Sequence, residues 1–184
     1  MKKFSSILFV AIATLISTFA SAQEKTVMVG GAAMYPSKDI VSNAVNSKDH
    51  TTLVAAVKAA GLVETLQSAG PFTVFAPVNA AFDKLPKGTV GTLLEPANKP
   101  LLTKILTYHV VAGKFSSKSI AAAIKAGKGT AVFTTVAGGK LKATMKGKKL
   151  ILTDEKGGIS TVTIANVNQS NGVIHVVDTV LMPN

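Results

Sequence analysis

The dominant hydrophobic period of the chain changes near residue 130. Up to about residue 127 apolar side chains recur three and four positions apart, and after residue 130 they alternate with polar ones. In "YPSKDIVSNAV", Pro36 and Ser37 predict a helix start, with Asp39 in the first turn, where the helix dipole favours an acid. Ile40, Val41 and Val45 are spaced to share one face. "DHTTLVAAVKAAGLVETLQSAG" predicts a second helix, with Leu53, Val54 and Val57 as its stripe and Gly61 as its C-cap. Leu62, Val63 and Leu66 continue as a short separate turn. "PFTVFAP" predicts a β-rich run between Pro71 and Pro77, and Asn79 is placed to cap a short helix carrying Ala81 and Phe82. "KPLLTKIL" is helical, with Leu101–Ile105 and Leu102–Leu106 pairs, and "SSKSIAAAIKAG" is another helix with a Ser cap and Gly127 as its stop.

From residue 130 onward, "TAVFTTVA", "KLKATMK", "KLILTDE" and "ISTVTIAN" read as strands separated by Gly138-Gly139, Gly147 and Gly157-Gly158. "SNG" at 170–172 is a further turn, and "VIHVVDTVL" a final strand. Short strands with glycine turns predict an antiparallel meander. Helices first and strands later predict an α+β fold rather than alternating βαβ units.

The first residues interrupt this pattern. Lys2 and Lys3 precede an apolar run from Ile7 to Ala20, and Ala20-Ser21-Ala22 closes it with small residues. That is the signature of a secretory signal peptide spanning 1–22, too short and too polar for a stable membrane anchor. Residues 23–35 read as a flexible leader, and 36–183 as one domain. The expected location is periplasmic or extracellular, and the domain has no cysteine, so no disulfide or thiolate site is available.

Charge narrows the partners. Past Lys3 the chain carries eighteen basic residues against nine acidic ones, and every basic residue is Lys. Arg supplies the planar fork that reads phosphates and guanine edges, so nucleic acid is not an expected partner. The densest cluster is Lys140, Lys142, Lys146, Lys148 and Lys149. Lys140 and Lys142 alternate with Leu141 and Ala143 and share the solvent face of a strand. Such a row discourages edge-to-edge aggregation, and it also suits an acidic polysaccharide or anionic surface.

Catalytic arrangements are not evident. His50, His109 and His175 lie far apart, His50 at a solvent-facing helix start, and no metal-ligand spacing occurs. Gly127-Lys128-Gly129-Thr130 lacks the order of a phosphate loop, and no G-x-S-x-G elbow is present. Asp154 and Glu155 are strand neighbours that point to opposite faces, which makes them a charged hairpin tip rather than a carboxylate pair. Asn168-Gln169-Ser170 is a glycosylation sequon. His109 stands where a helical stripe of Leu102, Ile105 and Leu106 meets the strand-like Val110-Val111. It is expected to be a core histidine that ties a helix end to a neighbouring strand through both ring nitrogens. No enzyme, metal or cofactor is expected.

Four stretches, "TLVAAVKAAGLVETL" (52–66), "GPFTVFAPVNAAFDKLP" (70–86), "LLTKILTYHVVAGK" (101–114) and "SNGVIHVVDTVLMP" (170–183), resemble the fasciclin domain family in order and spacing. The resemblance implies a seven-stranded β-wedge or sandwich with helices on one side, mainly from the N-terminal half. It implies a monomeric, non-catalytic adhesion module that binds extracellular protein or glycan at a cell surface, matrix or biofilm. By the same resemblance Thr73, Phe75, Pro77, Asn79 and Phe82 fall in the first family motif, and Asn171, Gly172 and His175 in the second, as structural positions. Tyr108, His109 and Asn166 fall where animal members carry contact residues, although the aspartate expected near Asn166 is missing. Some relatives carry small apolar molecules such as carotenoids or lipids, which is the alternative role the resemblance implies.

Overall fold

The structure, a computed structural model, describes residues 24–184; the segment read as a signal peptide lies outside the described residues. A hairpin of β1 (Val27–Val29) and β2 (Ala32–Met34) leads into α1 (Ile40–Ala44), α2 (Thr51–Ala60) and α3 (Val63–Gln67). Strand β3 (Phe72–Pro77) is followed by α4 (Asn79–Phe82), α5 (Thr89–Leu94), α6 (Lys99–Tyr108), β4 (Val110–Ala112) and α7 (Ser117–Ala126). The chain then runs through β5 (Thr130–Thr134), β6 (Lys140–Lys146), β7 (Lys149–Thr153), β8 (Ile159–Gln169) and β9 (Gly172–Val177). This is the expected α+β fold.

Seven strands form one sheet in the order β4-β3-β9-β8-β7-β6-β5. The expected meander is its run of five antiparallel strands, β5 to β9. β3 joins parallel to β9, from Phe72 opposite Gly172 to Pro77 opposite Val177. Just past β5, the Val136 N–H donates to the Val110 carbonyl at 2.8 Å, so the sheet curls until its two edges nearly meet. Parallel strands are normally covered on both faces. Here Val74, Ala76, Ile174 and Val176 face a core shared with α1–α6, whereas Phe75 and Val177 face a second core with Ile120, Leu141 and Leu152.

Several helix boundaries behave as the pattern predicts. Gly61 terminates α2 in the left-handed region at φ 72°. The Ser116 hydroxyl accepts from the Ser119 N–H at 3.1 Å and caps α7. α1 starts later than expected. Asp39 is its N-cap, its carboxylate accepting from the N–H groups of Val41 and Ser42 at 2.9 Å each. The five-residue helix ends before Val45, which is therefore 48% exposed and not on the buried stripe.

Three expectations are overturned by packing. The stretch read as a flexible leader is ordered over residues 27–34, where Val27–Val29 pairs with Ala32–Met34 around Gly30 and Gly31 at φ 56° and 78°. Two successive positive φ values are what a tight hairpin turn requires, and only glycine adopts them freely. His50 is buried rather than solvent-facing, its Nδ1 2.9 Å from the Ser47 hydroxyl. Asn79 does not cap its own helix. Its side-chain oxygen accepts from the Thr52 N–H at 3.0 Å and its amide donates to the Lys48 carbonyl at 2.8 Å, so it caps α2 across the fold.

The hairpin's contribution is measurable. Met34 is 3% exposed and Met28 59%. Met34→Ala is expected to cost about 2–4 kcal/mol in urea unfolding, and Met28→Ala no more than about 0.5 kcal/mol. Equal, small effects would mean that the segment is a dispensable leader.

Candidate functional site

α6 ends at Tyr108, and His109 occupies its C-cap. Both side chains turn inward, with Tyr108 0% and His109 3% exposed. The Tyr108 hydroxyl donates to the Lys140 carbonyl at 2.7 Å and accepts from the Glu155 N–H at 3.2 Å. Burial pushes its phenol up to about 12. His109 Nδ1 donates to the Ile105 carbonyl at 2.9 Å, and Nε2 accepts from the Leu181 N–H at 3.0 Å. Both nitrogens are used, as a structural histidine requires, but the second partner is the C-terminal segment and not a strand. Burial holds the ring well below its ordinary value of 6.5, to about 4, against small opposing effects of Ile105 and the Asp154 carboxylate. A contact made through these two side chains would need them at the surface, and they are not there.

The other motif positions also face inward. Thr73 donates to the Gly113 carbonyl at 2.6 Å and accepts from the Phe115 N–H at 2.9 Å, tying β3 to the segment beyond β4. Phe75 stacks on His175 with ring centroids 5.7 Å apart. His175 Nε2 donates to the Phe115 carbonyl at 2.8 Å, and burial lowers its affinity for a second proton. Pro77 and Phe82 are buried, Phe82 within the helical core. The Asn171 side chain accepts from the Ile40 N–H at 3.1 Å and donates to the Leu66 and Ser68 carbonyls at 2.8 and 2.9 Å, joining α1 and α3 to the β8–β9 turn. At Gly172 a Cβ would lie 2.2 Å from the Phe72 carbonyl oxygen, so β3 can approach only because no side chain is there.

Asn166, expected at a contact position, is instead a cap. It sits in a β8 irregularity at φ 60°, its side-chain oxygen accepts from the Ser117 N–H at 2.7 Å, and its amide donates to the Ser117 hydroxyl at 2.7 Å. Asp154 and Glu155 lie at a hairpin tip, where Glu155 accepts from the Asn184 N–H at 3.3 Å and Asp154 is buried. Its carboxylate accepts from the N–H groups of Lys156, Gly158 and Met182 at 3.0, 2.6 and 2.8 Å. The "DEKGG" turn carries a signal for the first two contacts; the Met182 contact has none in the sequence. Asn43 and Gln169, a buried side-chain pair joining α1 to β8, likewise have no local signal.

The lysines do reach the surface together. Lys140, Lys142, Lys146, Lys148 and Lys149 are all exposed, while Leu141, Ala143 and Leu150 between them are buried. On the outward face, Lys142 lies between Val132 on β5 and Thr153 on β7, and Lys146 opposes Lys149. The next rank runs Thr130, Thr144, Ile151, Thr161. Cross-strand neighbours on one face lie about 5 Å apart and next-but-one residues along a strand about 7 Å apart. Hydroxyls and ammonium groups therefore share one sheet surface.

A second feature has no sequence signal. A cavity of about 80 Å³ opens between α1, α2, α3 and the strands β3, β4 and β9, lined mostly by apolar side chains. Among the described residues no three His, Cys, Asp or Glu side chains converge on a common point, and no helix is long and apolar enough to cross a membrane.

His109→Ala is expected to lower stability by about 1–3 kcal/mol, because the Leu181 N–H loses its acceptor. Unchanged melting would overturn the structural role. The pH dependence has a definite sign. The unfolded ring titrates near 6.5 and the folded ring near 4, so stability is full above pH 6.5 and declines as pH falls to about 4. The decline due to His109 is about 3 kcal/mol, and unfolding free energies of the His109→Gln variant over that window are expected to slope less steeply.

The geometry agrees with the comparisons. The Fasciclin domain family profile matches residues 48–183. Protein sll1483 of Synechocystis sp. is 48% identical over 160 residues, covering 87% of this chain and 82% of that protein. The cell surface glycolipoprotein MPB83 of Mycobacterium bovis is 36% identical over 160 residues, covering 84% of this chain and 64% of that protein. A solved FAS1 domain pair from the insect cell adhesion molecule Fasciclin I aligns with a TM-score of 0.71 at 14% identity, covering 87% of this chain and 58% of that one, a likeness of fold. By motif order, seven-stranded sheet and family match together, this chain belongs to the fasciclin domain family.

Proposed function

We propose that this chain is an exported adhesion module that holds acidic polysaccharide at a cell surface or matrix through the outward face of β5–β8. The observation that carries this reading is the lysine array on that face: four of its five ammonium groups lie on β6 and β7, and Lys148 lies in the turn between them. Lysine is a compact, hydrated point charge, suited to many shallow contacts and poorly suited to bidentate recognition. Binding of that kind is additive and salt-sensitive. A relative named as a cell surface glycolipoprotein supports the location. The histidines support a binding role over catalysis, since His109 and His175 spend their ring nitrogens on backbone groups. A second role, carriage of a small apolar ligand, is favoured by the cavity between α2 and the sheet.

The test is binding of the chain from residue 23 onward to immobilised heparin, as a probe acidic polysaccharide. Retention is expected at about 50 mM NaCl and release by about 500 mM, where the screening length has shrunk to a few ångströms. The triple substitution Lys142→Glu, Lys148→Glu, Lys149→Glu is expected to weaken binding at least about tenfold without shifting the melting temperature, since all three groups are exposed. Wild-type chain that passes through at low salt, or a triple variant that binds as well, would sink the proposal.

A further inference from the structure

We infer that the cavity between α2 and the sheet is a binding site for the chain of a single-chain amphiphile whose anionic head rests on Lys58. The inference deepens the carrier role and is independent of the lysine face. Protein interiors are close-packed, and a void forfeits the dispersion contacts of every atom that lines it. A second void, beside His50, is about 10 Å³, the space of about one water. The cavity beneath α2, at about 80 Å³, is much larger.

Water is a poor occupant. An ordered water needs two to four polar partners, about three on average. The walls are formed by side chains such as Ile40, Val57, Leu66, Val74, Leu106 and Ile174. The polar groups among the wall residues are largely spent. Both nitrogens of His109 are bonded to backbone groups, and the Thr107 hydroxyl donates to the Thr103 carbonyl at 2.7 Å. An apolar chain restores the missing contacts and asks for no hydrogen bonds.

The head group follows from the rim. Lys58 is the one charged residue among the described residues lining the cavity, and no carboxylate accompanies it there. It lies in the last turn of α2 and is exposed, with the exposed Thr65 of α3 also on the rim. Lys99 lies against Gly61 at the end of α2, where its ammonium offsets the negative end of the helix dipole. Lys58 is then free to meet an anion from the ligand. An apolar cavity of about 150 Å³ takes one benzene ring, so this one, at about 80 Å³, admits only the last few carbons of an unbranched chain, and the remainder must lie along its mouth toward Lys58.

Isothermal titration of the chain from residue 23 onward with three ligands of one chain length tests this. Dodecanoate is expected to bind at least about tenfold more tightly than dodecyltrimethylammonium, with dodecanol between them, because only the carboxylate gains from the ammonium. Lys58→Gln is expected to weaken dodecanoate about fivefold or more and leave dodecanol unchanged. Val54→Phe, which pushes a ring into the cavity from its half-buried rim, is expected to weaken all three. If none of the ligands binds the wild-type chain, the cavity site and the carrier role fall together. If dodecanoate and dodecanol bind alike and Lys58→Gln changes neither, the anionic head is wrong and the carrier role stands. Loss of dodecanoate binding in the lysine-face triple variant would move the site to that face and overturn the inference.

Discussion

The parallel pairing of β3 with β9 is the constraint on which the rest of the fold depends. It joins Phe72–Pro77 to Gly172–Val177, about a hundred residues later in the chain. Closing so long a loop costs entropy, which must be offset by what the pair buries. It buries both faces, and for that reason the molecule has two cores rather than one. The helices cover one face of the pair, and the curled meander with α7 covers the other. Gly172 lets the two backbones meet, and the stack of Phe75 on His175 packs directly across the register.

Burying that pair brings polar groups into the interior, where each must find a partner. Thr73, His109, Asp154, Asn166, Asn171 and His175 do so mostly by bonding to backbone groups distant in the chain. Each such bond pins one segment to another. His109 and Asp154 together hold the C-terminal segment through Leu181 and Met182. In a chain with no cysteine, these clamps and the apolar cores take the place of disulfides.

The two proposed functions use opposite sides of this frame. The lysine face is the outside of β5–β8, beyond the second core. The cavity lies on the helical side, between α1–α3 and the β3–β9 pair. One site would act by charge and weaken with salt; the other would act by apolar contact and size. Occupying one leaves the other open, so adhesion and carriage are compatible in one small domain.

The sequence by itself determined the α+β class, the meander, the family and the lysine row, because each is written in local period, turn glycines or adjacent residues. Alternation alone is enough to put Lys140 and Lys142 on the outward face. The sequence also determined that His109 would be satisfied rather than reactive, but not its second partner, which is 72 residues away in the C-terminal segment and not on the neighbouring strand that local order suggests. Gly30-Gly31 signals a hairpin that the polar start of the segment obscures. Only the tertiary structure decided that Asn79 caps α2, that Asn166 caps α7, that His50 is buried and that a cavity exists. Those facts depend on which surfaces meet across the fold, and a one-dimensional pattern carries no information on distances between segments that pack only after β3 has found β9.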